Sequence, residues 1–166
     1  MNLAFRSISD ADRDFLLRVY ASTRDQEKEL FGWKDKEWQD FLRLQFSIQH
    51  KYYQQQFSDA SYNIILLNNE PVGRLYVDRR KDEVHIIDIA LLPEFRNRGI
   101  GSKILKDLIA EAEEENIPVR IYVEHFNPAL RLYERLGFTQ IDDTGVYFLM
   151  ERPAKKRLAK TNRKIS

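Results

Sequence analysis

The sequence contains no cysteine, which excludes disulfide bonds, thiolate-ligated zinc and a cysteine nucleophile. Histidine is also scarce, with His50, His85 and His125 at scattered positions, so we expect no metal site. No apolar run approaches the ~18 residues that a bilayer-spanning helix needs, so we expect no contact with membranes. The first residues lack the apolar core of a secretory leader. These absences together predict a cytoplasmic protein.

An excess of charge of either sign is absent as well, since 27 Lys and Arg face 26 Asp and Glu, a net charge of +1. The total combines two unlike regions. Residues up to Met150 carry 20 basic and 25 acidic side chains, a net of −5, whereas residues 151–166 carry 7 basic and 1 acidic, a net of +6. We expect a folded domain over residues 1–152 and a basic, flexible tail over 153–166. Binding of nucleic acid or an acidic partner by this tail is the less favoured alternative.

The hydrophobic patterns predict a mixed α/β (α+β) domain with a central, mostly antiparallel sheet, in the order β-α-α-β-β-β-α-β-α-β-β. Apolar residues at helical spacing predict four helices, at about 10–24, 36–57, 101–115 and 127–136. Short apolar runs bounded by turn residues predict strands at about 3–8, 62–67, 71–79, 85–92, 119–123, 138–141 and 146–151.

The clearest chemical signal is the segment PEFRNRGIGS at residues 93–102, between a buried strand and a helix. Gly99 and Gly101 let backbone N–H groups approach a ligand, and the helix start adds unpaired N–H groups and a positive dipole end. Arg96 and Arg98 add charge. The segment suits a pyrophosphate, although a glycine-rich surface turn that caps a helix would have the same composition.

Two other phosphate motifs fit this segment poorly. A Walker A loop is excluded because Gly101, Ser102 and Lys103 follow each other in the wrong order and spacing. A dinucleotide-binding fingerprint is disfavoured because Ile104 occupies the position of its third glycine. Residues 93–98 also separate the strand from the first glycine, which is too long for that tight turn.

The spacing Arg96-x-x-Gly99-x-Gly101 resembles the R/Q-x-x-G-x-G/A signature of the GNAT superfamily of N-acetyltransferases. The segment NPALRLYERLGF at residues 127–138 is similar to the family's stretch of an asparagine, an alanine and L-Y-x-x-x-G-F. Asn127 lies two residues before Ala129, where three residues are also common in the family. The resemblance spans roughly residues 64–151, and the first sixty residues fit in outline only.

The resemblance implies that acetyl-CoA is a cosubstrate, held between the strands at 85–92 and 119–123. It implies transfer of the acetyl group to a primary amine of a small molecule, amino acid or peptide, by direct attack in a ternary complex. The pantetheine arm would pair with the end of the first strand, the N–H near Leu91 would hold the thioester carbonyl, and the pyrophosphate would lie on residues 98–102. The implied cofactor-binding residues are Ile89, Ala90, Leu91, Arg96, Asn97, Arg98, Gly99, Ile100, Gly101, Ser102 and Asn127.

Tyr133 matches the family's general acid, which protonates the departing CoA thiolate. For the general base, the family often uses a carboxylate near the start of the central strand, and His85 and Asp88 are both candidates. A regular strand places these two side chains on opposite faces, because their numbers differ by three. Glu83, or no protein base at all, is the further alternative.

In this family the acceptor is usually held by the first two helices and their loop, which makes Arg24, Phe31 and Trp33 candidate substrate-binding residues. Polyamines, aminoglycosides, amino acids and protein N-termini all remain open as acceptors, and the acidic balance up to Met150 suits a cationic amine. A homodimer is common in the family. The alternative function is a non-catalytic acyl-CoA-binding or interaction module.

Overall fold

The structure is a computed structural model in which residues 1–154 are described. The strands are β1 Leu3–Ser7, β2 Ser61–Leu67, β3 Glu70–Arg79, β4 Val84–Leu91, β5 Val119–Glu124, β6 Thr139–Asp143 and β7 Tyr147–Arg152. The helices are α1 Arg13–Ser22, α2 Asp25–Leu30, α3 Asp35–Gln56, α4 Ile100–Glu114 and α5 Leu130–Arg135.

The seven strands form one sheet in the order β1-β2-β3-β4-β5-β7-β6. Strands β4 and β5 are parallel and are joined through α4, whereas β1 and β2, β5 and β7, and β6 and β7 are antiparallel. The predicted fold class, a mixed α/β domain on a mostly antiparallel sheet, is confirmed.

Three helical details differ from the sequence prediction, and one is that the helix predicted at 127–136 spans only Leu130–Arg135. The predicted helix at 10–24 begins as a 3₁₀ turn at Asp10–Asp12, and α1 starts only at Arg13. The Asp12 carboxylate accepts hydrogen bonds from the Ser9 backbone N–H at 2.8 Å and from both terminal nitrogens of Arg6 at 2.9 Å, which fixes this start. The short helix α2 was not predicted, because its sequence DQEKEL offers Leu30 as its single apolar residue and therefore no amphipathic period.

The chain divides into two compact units, and the first comprises Met1–Tyr76 and Ile89–Arg96. Its core forms where the apolar faces of α1 and α3 meet β2. On α3 the fully buried side chains are four residues apart, which is the spacing of one helical face. The core residues are Leu16, Tyr20, Trp38, Leu42, Phe46 and Ile64.

The second unit comprises Val77–Asp88 and the described residues from Asn97 onward. Helix α4 buries one apolar stripe and packs on β5. Alternate residues of β5 are buried, as expected for a strand with one covered face. The buried residues of these two elements are Ile100, Ile104, Leu105, Leu108, Ala112, Val119, Ile121 and Val123.

Strand β6 forms one edge of the sheet, and all five of its residues are exposed. Its pairing with β7 shifts register between Gln140 and Asp142, so the strand contains a bulge. At its end the Asp143 carboxylate accepts a hydrogen bond from the Gly145 backbone N–H at 2.8 Å and lies 2.8 Å from His125 Nε2. The bulge and these contacts give the edge an irregular, acidic outline.

Within residues 1–154 no helix combines the length and the apolar character that crossing a membrane requires. The same part of the chain contains no group of three or more His, Cys, Asp and Glu side chains placed to hold a metal ion. The predicted basic tail at 153–166 lies outside the described residues except for its first two positions.

Candidate functional site

The segment between β4 and α4 forms a turn with two residues in the left-handed region, Asn97 at φ 60° and Gly99 at φ 80°. Glycine and asparagine adopt this conformation at the lowest cost, which explains their use here. Gly99 is the N-cap of α4, and its carbonyl accepts the first helical hydrogen bond, from the Lys103 N–H at 3.0 Å. The N–H groups of residues 100–102 therefore precede the first intrahelical donor and point out of the helix start.

The surface over this helix start is open. A Cβ atom added at Gly99 or Gly101 would meet no atom within 4 Å, so a ligand has room to approach the backbone. Helix α4 has 15 residues, and the N–H groups and dipole at its start favour an anion. Successive N–H groups in a turn that passes through a left-handed residue form an anion-binding concavity. The turn and the helix start therefore present backbone N–H groups toward an open surface.

Arg96 lies in the first unit, where its exposed side chain braces the end of β4. Its Nε donates to the Leu91 carbonyl at 3.0 Å, and its Nη2 donates to the Ser22 hydroxyl, at the end of α1, at 3.2 Å. The guanidinium therefore fixes the Leu91 carbonyl relative to α1. This bracing role was not predicted from the sequence, which pointed to a charge for the pyrophosphate.

The parallel pairing of β4 and β5 is short. It joins Val84 to Val119, His85 to Arg120 and Ile86 to Ile121. This register ends there, although β4 continues to Leu91 and β5 continues to Glu124. The second unit therefore contains the point at which the two parallel strands leave their common ladder.

His85 and Asp88 are three residues apart on β4, a spacing that in a regular strand places side chains on opposite faces. His85 is buried, and in the parallel register it lies opposite Arg120 of β5. Its ring contacts the Tyr122 ring edge-on, with ring centroids 5.9 Å apart. Burial, and then the charge of Arg80, lowers the pKa of His85. The imidazole is therefore neutral near pH 7 and lies on the face of β4 that carries a network of charged side chains.

Glu83, the third candidate base, is part of that network. Its carboxylate lies 2.7 Å from Arg80 Nη1 and 3.4 Å from Arg120 Nη1. Arg80 also pairs with Asp78 at 2.9 Å, and Arg120 pairs with Glu151 at 2.7 Å. Glu83 is therefore engaged in ion pairs that hold the starts of β4 and β5 together.

Tyr133 is on α5, with only 4% of its surface exposed, and its ring packs edge-on against Phe138 at 5.6 Å. The helix ends in a Schellman motif, in which the Phe138 N–H donates to the Tyr133 carbonyl at 3.0 Å and Gly137 has φ 93°. Burial, and then the nearby charge of Asp88, raises the pKa of Tyr133. The phenol stays protonated at neutral pH, and Asp88 is close enough for its charge to act on the Tyr133 hydroxyl.

Asn127 begins the segment that leads into α5. Its side-chain oxygen accepts a hydrogen bond from the Ala129 backbone N–H at 2.8 Å. This Asx turn precedes α5 and uses one lone pair of the oxygen, while the NH₂ group is the hydrogen-bond donor of the side chain.

The three candidate acceptor residues have different surroundings in the first unit. Arg24 pairs with Glu27 at 2.9 Å and lies over the Tyr20 ring, whereas the Phe31 side chain is exposed. Trp33 stacks on Phe41, with ring centroids 4.9 Å apart, and forms one wall of a cavity.

This cavity has a volume of about 510 Å³ and is lined by Asp25, Lys28, Glu29, Gly32 and Trp33. The carboxylates of Asp25 and Glu29 give it acidic walls beside an aromatic ring. The sequence analysis did not select Asp25 and Glu29 as candidate acceptor residues. The available signal was the alternation of acidic and other residues in DQEKEL, close to Trp33.

Residues 24–138 match the Acetyltransferase (GNAT) family, and the chain belongs to this family. It is 29% identical over 85 residues to the ribosomal protein bS18-alanine N-acetyltransferase of Haemophilus influenzae, over 51% of this chain and 58% of that protein. It is 32% identical over 60 residues to an N-alpha-acetyltransferase of Sulfurisphaera tokodaii, over 34% of this chain and 36% of that protein. The chain thus spans 58% of the first of these curated relatives and about a third of the second.

Two solved structures show the same fold. The PaiA N-acetyltransferase of Thermoplasma acidophilum in complex with coenzyme A has a TM-score of 0.68 at 19% identity, over 92% of this chain and 99% of that chain. A GNAT family acetyltransferase of Elizabethkingia anophelis with acetyl-CoA bound has a TM-score of 0.56 at 20% identity, over 92% of this chain and 98% of that chain. The family resemblance in the two sequence motifs is confirmed.

Proposed function

We propose that this chain transfers the acetyl group of acetyl-CoA to a primary amine, by direct attack in a ternary complex without a covalent enzyme intermediate. The observation that carries the proposal is the open turn at the start of α4, in a chain of the GNAT family. Acetyl-CoA supplies the activated acyl thioester when it is bound. Its pyrophosphate fits the N–H groups that the turn and the helix start present.

The proposed cofactor contacts are backbone groups together with the side chains of Asn127 and Arg96. In the second unit they are the backbone of Asn97–Ser102 and the NH₂ group of Asn127. In the first unit they are the backbone of residues 89–91, with Arg96 holding the Leu91 carbonyl. We propose that the Leu91 N–H donates to the thioester oxygen, where it stabilises the negative charge that develops during attack.

We propose that the Tyr133 hydroxyl donates a proton to the departing CoA thiolate. Support comes from its burial, because a desolvated phenol keeps its proton and is available as a donor at neutral pH. Its position on a helix that is closed by the Gly137 turn also holds the ring in one place.

We propose that Asp88 receives the proton that the amine loses, directly or through water. An aliphatic amine is mostly protonated at pH 7, because its pKa is about 10.4, so a proton acceptor near the site is needed. Asp88 is close enough to act electrostatically on Tyr133, whereas His85 packs against Tyr122 of β5 and Glu83 is ion-paired. These contacts favour Asp88 over the two alternatives.

We propose that the acceptor amine is recognised in the first unit, by the cavity that Trp33 lines. Carboxylates beside an aromatic face suit a cationic amine, through charge and cation–π attraction. Phe31 and Arg24 flank α2 and complete the proposed set of acceptor residues. The relatives in Haemophilus influenzae and Sulfurisphaera tokodaii are named for protein alanine and N-alpha acetylation, so peptides with a free N-terminus are natural first acceptors to test.

Thiol release from acetyl-CoA tests the proposed activity. Because the chain has no cysteine, a thiol reagent reports CoA without any background from the protein. We expect release with at least one member of a panel of N-terminal peptides, amino acids, polyamines and aminoglycosides. Thermal stabilisation by acetyl-CoA without release by any acceptor would favour the non-catalytic acyl-CoA-binding module instead. Neither stabilisation nor release would reject both functions.

We also propose that residues 1–152 form the acetyltransferase domain and that the basic tail is dispensable for the reaction. A chain that ends at Ala154 retains every described contact, so we expect it to keep the kcat/KM of the full chain. A large loss with an acidic acceptor, and not with a neutral one, would assign the tail a role in acceptor binding.

A further inference from the structure

Gly73, in the middle of β3, has no space for a side chain. A Cβ atom there would lie 2.2 Å from the carbonyl oxygen of Ala90, and 3.0 Å and 3.1 Å from Cδ2 and Cα of Leu91. The φ angle of Gly73 is not in the left-handed region, so its backbone conformation does not require a glycine. The close approach of β4 does require one. Both segments belong to the first unit.

This approach sets the direction of the peptide between Ala90 and Leu91. The Ala90 oxygen is the atom that a Cβ at Gly73 would meet first, so the carbonyl points toward β3. The described peptide bonds include no cis bond, and in a planar trans peptide the C=O and N–H point in opposite directions. The N–H of Leu91 therefore points away from β3.

The neighbouring peptide groups are held on both sides. The Leu91 carbonyl accepts from Arg96 Nε at 3.0 Å, and the Leu92 N–H donates to the Val72 carbonyl at 2.9 Å. The Leu91 N–H thus lies between two fixed groups, and its direction depends on the room that Gly73 leaves for the Ala90 oxygen.

We propose that Gly73 is a positioning residue for acetyl transfer: the room that it leaves for the Ala90 carbonyl aims the Leu91 N–H at the thioester oxygen. The inference rests on the proposed function, in which this N–H stabilises the charge that develops on that oxygen. Gly73 itself touches neither the substrate nor the reacting atoms. It acts through a rigid peptide group, so its effect is expected on the chemical step more than on binding.

Gly73→Ala is the test. The new methyl group forces the Ala90 oxygen to move by about 1 Å, from 2.2 Å to beyond 3.0 Å, and the Leu91 N–H moves with it. A misplacement of about 1 Å, or loss of one oxyanion donor, typically costs about 10²-fold or more in kcat. We expect kcat to fall about 100-fold, while the Kd of the product CoA, which has no thioester carbonyl, rises less than about tenfold.

Val77→Ala is the matched control. It removes buried packing from the same strand without adding an atom near Ala90, so it lowers thermal stability and is expected to keep kcat within about threefold. A Gly73→Ala chain that folds and keeps the wild-type kcat would overturn the inference. Absence of CoA release by the wild-type chain would instead reject the proposed function.

If Gly73→Ala does not fold, the direction of the Leu91 N–H is tested on the wild-type chain. The probe is a ketone analogue of acetyl-CoA in which a methylene group replaces the thioester sulfur. We expect the amide proton of ¹⁵N-labelled Leu91 to shift downfield with the ketone analogue and not with CoA. An equal response to both ligands would reject the proposed contact of the Leu91 N–H with the carbonyl, and the inference about Gly73 with it.

Discussion

Replacement of Tyr133 by phenylalanine removes one hydroxyl and keeps the ring. The ring is buried and packs edge-on against Phe138 at 5.6 Å, and this contact survives the change. The Schellman turn at Gly137 depends on backbone groups alone. We therefore expect the free energy of unfolding to change by less than about 1 kcal/mol.

The expected loss lies in the chemical step. A positioned general acid contributes about 10²–10⁴-fold, which corresponds to about 3–5 kcal/mol of transition-state stabilisation. We expect kcat of Tyr133→Phe to fall in this range while the Kd of acetyl-CoA is unchanged. Because burial and Asp88 raise the pKa of Tyr133, ionisation of this phenol should not limit the wild-type rate below about pH 10.

Thiol release under saturating acetyl-CoA and acceptor, together with calorimetric titration of CoA, separates the two effects. Tyr122→Phe is the matched control, because Tyr122 is half exposed, touches His85 and has no proposed role. Unchanged turnover in Tyr133→Phe would remove this side chain from the mechanism. An equal loss in both variants would show that the loss does not report proton donation.

Four further substitutions test the base and two structural features. Asp88→Asn is expected to lower kcat about 10²-fold or more, and His85→Gln is expected to leave kcat within about threefold of the wild-type value. If steady-state assays give the larger loss for His85→Gln, His85 is the base. Asp12→Asn is expected to cost about 1–3 kcal/mol at pH 7, because the carboxylate accepts bonds from Arg6 and Ser9. The pKa of Asp12 is lowered, mainly by Arg6, so this stability is present above about pH 4 and is lost as the pH falls through the folded-state pKa. Denaturant titrations in which the wild-type chain and Asp12→Asn differ in stability equally at pH 7 and at low pH would contradict this. Gly137→Ala is expected to cost about 1–2 kcal/mol or more, because its φ is 93° and a Cβ would lie 2.8 Å from Arg152 Nε; an unchanged Tm would refute it.

Much of the fold could be predicted because its signals are local. The helix predicted at 101–115 is α4 at Ile100–Glu114, and the helix predicted at 36–57 is α3 at Asp35–Gln56. Both carry a continuous apolar stripe. Helix α2 lacks such a stripe, and the carboxylate of Asp12 splits the first helix through contacts with Arg6, which periodicity does not encode.

The candidate site likewise has parts that local sequence motifs indicate and parts that depend on packing between distant segments. The turn at Asn97 and Gly99 and the helix of Tyr133 lie in contiguous motifs, which is why the sequence could offer them as candidates. The choice between His85 and Asp88 depends on which face of β4 meets α5, and these elements are far apart in the chain. The bracing of Leu91 by Arg96 depends likewise on the packing of separate segments, and single-chain spacing carries no signal for it.

The bulged edge strand β6 has a consequence for self-association in concentrated solution. Open strand edges invite pairing with another chain, and bulges and charged side chains oppose it. Two copies of β6 that paired would each carry the charges of Asp142 and Asp143 into an interrupted ladder. The Gly145 N–H and then His125 lower the pKa of Asp143, so this repulsion persists into mild acid. Light scattering of concentrated samples across the pH range should therefore show sheet-mediated aggregation only once these carboxylates are neutralised.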